Sequence, residues 1–143
     1  STLAREWVVV TDDAMPAKIV QFNGVRTPLV KRDYQYKSTV RVETLEPISA
    51  MSLTFVLFDV WGERSKTLAL TEVRDFAAGV HMLDGVWRLF SESEASQHYA
   101  AIAYVSQLRT TDGRILKANP QPVLAEARRF TDGFKLGDLA ISD

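Results

Sequence analysis

The sequence predicts an all-β fold of two antiparallel sheets packed face to face, and three observations carry that prediction. Short stretches of alternating apolar and polar residues recur along the chain, as in residues 36–45, where Val40 and Val42 share one face and Arg41 and Glu43 the other. Turn-forming pairs separate such stretches: Asp12-Asp13, Asn23-Gly24, Glu46-Pro47, Asp84-Gly85 and Asp112-Gly113. Two longer runs, 51–59 and 99–108, carry apolar side chains on both parities, the pattern of strands covered on both faces.

The elements follow in order. Residues 7–10 are β-branched after Trp7 and end at Thr11-Asp12-Asp13, with Pro16 beyond, which predicts a first strand. Residues 18–22 predict a second, closed by Asn23-Gly24, whose tolerance of positive φ suits a tight hairpin. The return, from Val25 to Val30, contains Pro28; a proline offers no N–H to a ladder, so this segment is an edge strand or no strand. Residues 36–45 are a half-buried strand. In 51–59, Met51, Leu53, Phe55 and Leu57 share one face while Val56 and Phe58 add apolar surface to the other, so this strand lies centrally. Gly62 closes a turn with Glu63 and Arg64, and Leu68 and Leu70 then alternate with Thr67, Ala69 and Thr71 in a shorter strand paired with the one before.

Gly79 opens an extended stretch through Met82, Asp84-Gly85 makes a turn, and 86–90 resumes the strand. Residues 91–97 are polar, acidic and aperiodic, which predicts an exposed loop. In 99–108, Ile102, Tyr104 and Leu108 share one parity, and Ala101, Ala103 and Val105 the other, where small side chains let a second layer approach. Thr111-Asp112-Gly113-Arg114 signals a hairpin, with 115–118 returning before Pro120 and Pro122. In 123–130, Val123, Ala127 and Phe130 fall on one helical face, which favours a short C-terminal helix over a strand. Beyond it, Phe134, Leu136, Leu139 and Ile141 are available to dock on the sandwich.

Composition bounds the function. A length of 143 residues, with 46% hydrophobic and 24% charged, suits a single domain over residues 1–143 with one core. Lys and Arg total 17 against 18 Asp and Glu, a net charge of −1, so no electrostatic field draws in nucleic acid or an acidic membrane. The absence of cysteine removes disulfides and thiolate chemistry but leaves the compartment open. No apolar run is long enough to span a bilayer as a helix. The chain begins Ser1-Thr2-Leu3, without methionine or a leader, a start that fits equally a removed signal peptide and a trimmed sequence.

Many short strands separated by turn residues point to a sandwich of the immunoglobulin-like kind, with a small barrel as the alternative. Within that pattern, Phe55-Val56-Leu57-Phe58-Asp59 resembles the F-x-L-Y-D signature of the bacterial FxLYD domain family, with Phe58 in place of the tyrosine. The surrounding order is similar over residues 36–90: the alternating strand through Val40-Arg41-Val42 precedes the signature, Gly62 follows the aspartate, and Gly79 introduces the next strand. The resemblance implies an extracytoplasmic bacterial module, periplasmic or secreted. It supplies no active site.

Residues with chemical potential read more simply as structure. His81 and His98 are the only histidines, and neither has the spacing that would put two imidazoles on one metal. Ser52 and Ser106 lack the glycine frame of a nucleophile elbow. Asp12, Asp13 and Asp132 show no calcium-loop alternation and are expected to cap turns, as is Asp59, whose carboxylate is placed to accept N–H groups of the turn through Trp61 and Gly62. No catalytic, cofactor-binding or metal-binding set is therefore assigned. Arg41, Arg109, Arg128 and Arg129 form no basic stripe interleaved with aromatics, which argues against nucleic acid.

What remains is a non-enzymatic module acting in protein interaction or assembly. Strand addition at an exposed edge would use the segment bounded by Val25 and Val30. The alternative is a carbohydrate-binding module, in which Trp61, placed in a turn, would offer its ring to the apolar face of a sugar.

Overall fold

The computed structural model describes residues 4–29 and 33–142, apart from the side chains of Leu89 and Phe90. Along the chain run β1 (Glu6–Val9), β2 (Ala17–Pro28), β3 (Asp33–Thr44), β4 (Ile48–Asp59), β5 (Arg64–Phe76), β6 (Gly79–Ser91), α1 (Glu92–Gln97), β7 (His98–Thr110), β8 (Ile115–Lys117) and α2 (Gln121–Ala127), before a 3₁₀ turn at Leu136–Leu139. The strands make two sheets. The larger has the order β1-β7-β4-β5, with β8 also on β7, and the smaller has the order β2-β3-β6. The chain is thus an all-β sandwich with a short helix near its C-terminal end.

The central place expected of 51–59 belongs to β4, which pairs with β5 on one side and β7 on the other. Its inward residues Met51, Leu53, Phe55 and Leu57 are buried against Val40, Val42 and Leu83 of the smaller sheet, with Ala101 and Ala103 of β7 giving the close approach their size allows. A second core lies on the opposite face of β4. There Val56, Phe58, Ile102 and Tyr104 are sealed by Val123, Leu124 and Ala127 of α2 and by Phe134. The three α2 residues are spaced so that one helical stripe meets the sheet. Burial on both faces is why β4 and β7 read as nearly continuous apolar runs.

Several expectations are corrected. The sheets are antiparallel except at one edge, where β1 runs parallel to β7, from Glu6 opposite Ala100 to Val9 opposite Ala103. The expected hairpin at Asn23-Gly24 is absent, because β2 runs unbroken from Ala17 to Pro28 along β3. The expected turn at Asp84-Gly85 likewise lies inside β6. Both glycines serve aromatic rings rather than turns. A Cβ on Gly24 would stand 2.0 Å from the Tyr36 Oη, and one on Gly85 2.4 Å from Trp87 Cη2. Gly24, Ser38 and Gly85 are in register across β2, β3 and β6, so a row of small residues forms a trough in which these rings lie.

Residues 92–97, expected as a loop, form α1. Ser91 is its N-cap: the Glu94 N–H donates to Ser91 Oγ (3.2 Å), and the Ser91 N–H donates to Glu94 Oε1 (3.3 Å). Leu108 faces the inter-sheet core, opposite to its sequence parity with Tyr104, because the register slips between Ser52 and Leu53 and β7 carries an extra residue there. The hairpin at Thr111-Asp112-Gly113-Arg114 forms as expected, with Gly113 at φ +93° and the Thr110 N–H donating to the Arg114 carbonyl.

Candidate functional site

The outer faces of the two sheets differ. On the larger sheet the second core covers much of the surface. On the smaller sheet, rows of side chains cross β2, β3 and β6 in register: Lys18-Glu43-Val80, Gln21-Arg41-Met82, Asn23-Thr39-Asp84 and Val25-Lys37-Val86. Among the described residues no element packs over them. Val25, Val80, Met82 and Val86 are each about half exposed, at 49, 57, 53 and 54%. A shallow depression lined by Gln21, Asn23, Thr39, Arg41 and Met82 lies among these rows. Isolated exposed apolar residues are ordinary, whereas several on one uncovered face suggest a contact surface.

Val25 sits on β2, an edge strand of the smaller sheet, as the proline at position 28 suggested. Val30, the other residue singled out in that segment, lies outside the described residues. Trp61 is 72% exposed at the tip of the β4–β5 turn. That turn is built on Asp59, whose Oδ1 accepts the N–H groups of Trp61 (2.9 Å) and Glu63 (3.0 Å), while Gly62 takes φ +77°. Asp59 therefore caps the turn as its position predicted. Trp61 is steered by α1: its Nε1–H donates to Gln97 Oε1 at 3.3 Å, and the Val60 N–H donates to the Gln97 carbonyl at 2.8 Å.

A buried polar and aromatic cluster at one end of the sandwich has no counterpart in the sequence reading. Tyr36 is fully buried, its ring meeting those of Trp87 and His98, and the Trp7 indole N–H donates to its hydroxyl. Burial pushes the Tyr36 phenol well above its ordinary range. His98, also buried, is held down to about 4, first by burial and then by the Arg26 and Arg5 guanidinium groups. Those arginines dock α1: Arg5 donates to the His98 carbonyl (2.7 Å) and the Ser96 carbonyl (3.2 Å), and Arg26 to the Ala95 carbonyl. The neutral imidazole is a packed side chain of the core.

The other residues weighed for chemistry are not assembled into a site. Ser52 shares a hydrogen bond with Thr71 (2.8 Å), and Ser106 Oγ donates to the Ser52 carbonyl (3.1 Å) at the register slip. His98 lies at the far end of β7 from Ser106, roughly 27 Å along an extended strand. His81 Nε2 donates to the Ala77 carbonyl at 2.6 Å, and its ring edge meets Phe76. Asp12 bridges two turns, accepting from the Ala14 N–H (3.0 Å) and the Asn119 N–H (2.9 Å). Among the described residues no three His, Asp or Glu side chains converge to hold a metal ion. No described helix is long and apolar enough to cross a membrane.

The fold and surfaces define a two-sheet sandwich with one covered and one open outer face. The chain matches no protein-family model, and no curated protein matches it significantly.

Proposed function

We propose that this chain is a non-catalytic interaction module, an immunoglobulin-like sandwich of an extracytoplasmic bacterial protein that binds a protein partner through its smaller sheet. The supporting observation is the asymmetry of the outer faces: α2 and Phe134 cover the larger sheet, while Val25, Val80, Met82 and Val86 stand half exposed on the smaller one. Binding works by surface complementarity on that face, which reaches the sheet edge at Val25 of β2. The bacterial, extracytoplasmic setting rests on the resemblance around Phe55-Val56-Leu57-Phe58-Asp59. The test is capture of partners by Val25→Asp and wild-type protein side by side. The variant is expected to lose a captured protein while melting at the same temperature, and identical capture profiles would count against this face.

A second reading, carbohydrate binding, is favoured by one observation: the Trp61 indole is 72% exposed yet fixed by Gln97, as a stacking platform requires. Trp61→Ala is expected to abolish retention on a glycan array with an unchanged melting transition. A wild-type protein that retains no glycan removes this reading.

A further inference from the structure

The sandwich has open sheet edges, and most carry a device that discourages pairing. On the larger sheet, β1 and β8 are only 4 and 3 residues long. Across that sheet, β5 is strapped by the C-terminal segment: the Ser142 N–H donates to the Thr67 carbonyl (2.8 Å), and the Thr67 N–H donates to Ser142 Oγ (2.9 Å). Further along β5, Glu72, Arg74 and Asp75 charge the edge. On the smaller sheet, β2 is interrupted by the register slip beside Val20 and ends at Pro28.

The remaining edge, β6, is long and unstrapped, with two charges, Asp84 and Arg88, and a register slip only beyond Trp87. From Gly79 to Trp87 it pairs with β3 without a slip, and among the described residues no strand pairs with its other side. It contains no proline and no lysine. Its exposed face carries Val80, Met82, Asp84, Val86 and Arg88, an apolar row with one acid and one base. A strand of this composition can pair with itself, provided a two-fold axis brings outward residues opposite outward residues. An axis at Asp84 sets two carboxylates against each other, and an axis at Gly85 sets Asp84 against Val86. An axis at Val86 sets valine on valine and places Asp84 of each copy opposite Arg88 of the other.

We propose that two copies of this chain join edge to edge through β6, antiparallel about a two-fold axis at Val86, so that the smaller sheets become one continuous sheet with Asp84 facing Arg88 on both sides of the axis. The backbone N–H and C=O groups on the free side of β6 supply the ladder, and the two charge pairs select the register. The open outer face then spans both copies, which doubles the surface of the interaction reading. Pairing of this kind deepens that reading and rests on it for its purpose, yet is measured on purified protein without any partner, so the two can fail separately.

The test is the solution mass, by sedimentation equilibrium over a wide concentration range. Wild-type protein is expected at twice the 16.0 kDa chain mass. Asp84→Arg and Arg88→Asp are each expected to fall to the single-chain mass, since each sets like charges opposite one another. An equimolar mixture of these two variants restores opposite pairs and is expected to return to the doubled mass. A monomeric wild type, a dimer indifferent to both reversals, or a mixture that stays monomeric each overturns the proposal. Should a variant fail to fold, amide exchange of the wild type decides: protection of alternate β6 amides rising with protein concentration supports the pairing, and concentration-independent exchange there refutes it.

Discussion

A β-carbon at position 24 would meet Tyr36 Cζ at 2.6 Å as well as its hydroxyl, and the Trp7 Nε1 at 2.9 Å. Tyr36 has nowhere to go, being fully buried between Trp87 and His98. Gly24→Ala is therefore expected to cost on the order of 3 kcal/mol through overpacking. Gly85→Ala meets a different neighbour, the outer rim of a partly buried Trp87 ring that can tilt, and is expected to cost about 1 to 2 kcal/mol. Gly137 is the control, because a β-carbon added there would meet nothing within 4 Å. Gly137→Ala should change stability by no more than about 0.5 kcal/mol. Urea unfolding of the three variants checks the ranking. Equal costs at positions 24 and 137 would mean that the trough is not packed as described. These residues also mark where sequence reading stops. Asn-Gly and Asp-Gly are strong local signals for a turn, and only the rings packed against them, Tyr36 of the neighbouring β3 and Trp87 of the same strand β6, explain why both glycines sit in mid-strand.

At the scale of elements, the apolar stripes were legible, and the partners they meet were not. The Ser91-Glu92-Ser93-Glu94 spacing is a capping box that starts α1, yet so short a helix carries no apolar stripe, and 91–97 therefore reads as a polar, aperiodic loop. The stripe of α2 was legible from Val123 and Ala127, but its target, the outward face of Val56 and Phe58, required knowing that β4 is covered on both sides. Phe134 closes that second core, fully buried with its ring 5.9 Å from that of Phe58. Removing the ring leaves a cavity against β4 that the short tail cannot fill. Phe134→Ala is expected to lower stability by about 3 to 4 kcal/mol, and Phe134→Leu by roughly half as much. Thermal unfolding distinguishes this from a peripheral tail, for which both variants would melt with wild type. Ser91→Ala, which removes the α1 cap, is expected to cost about 1 kcal/mol and to speed exchange at the Val60 amide, because the carbonyl of Gln97 holds it.

For the whole molecule, alternation and turn spacing were enough to predict two sheets, since each half-buried strand needs a second layer to cover its apolar face. They could not predict that β1 lies parallel to β7, because a four-residue strand carries no directional signal. Nor could they predict that the interior would enclose His98, whose sequence neighbours Gln97 and Tyr99 are polar or amphipathic. That burial gives the whole fold a pH dependence. The groups around the imidazole are Tyr36, Arg5 and Arg26, and burial together with the two cations holds its folded-state pKa at about 4. The unfolded chain returns it to about 6.5. Between these values the unfolded state takes up a proton that the folded state refuses, so the contribution is fully present above pH 6.5, falls as the pH is lowered, and is lost by pH 4. The shift corresponds to on the order of 3 kcal/mol in total. About 2 kcal/mol of this is expected to disappear between pH 7 and pH 5, above most carboxylate titration. His98→Gln, whatever its own cost, removes the titrating group and should flatten the stability profile across that interval. Denaturant unfolding of both proteins at pH 7, 6 and 5 makes the comparison, and parallel slopes would show that His98 is protonated as readily in the folded chain as in the unfolded one.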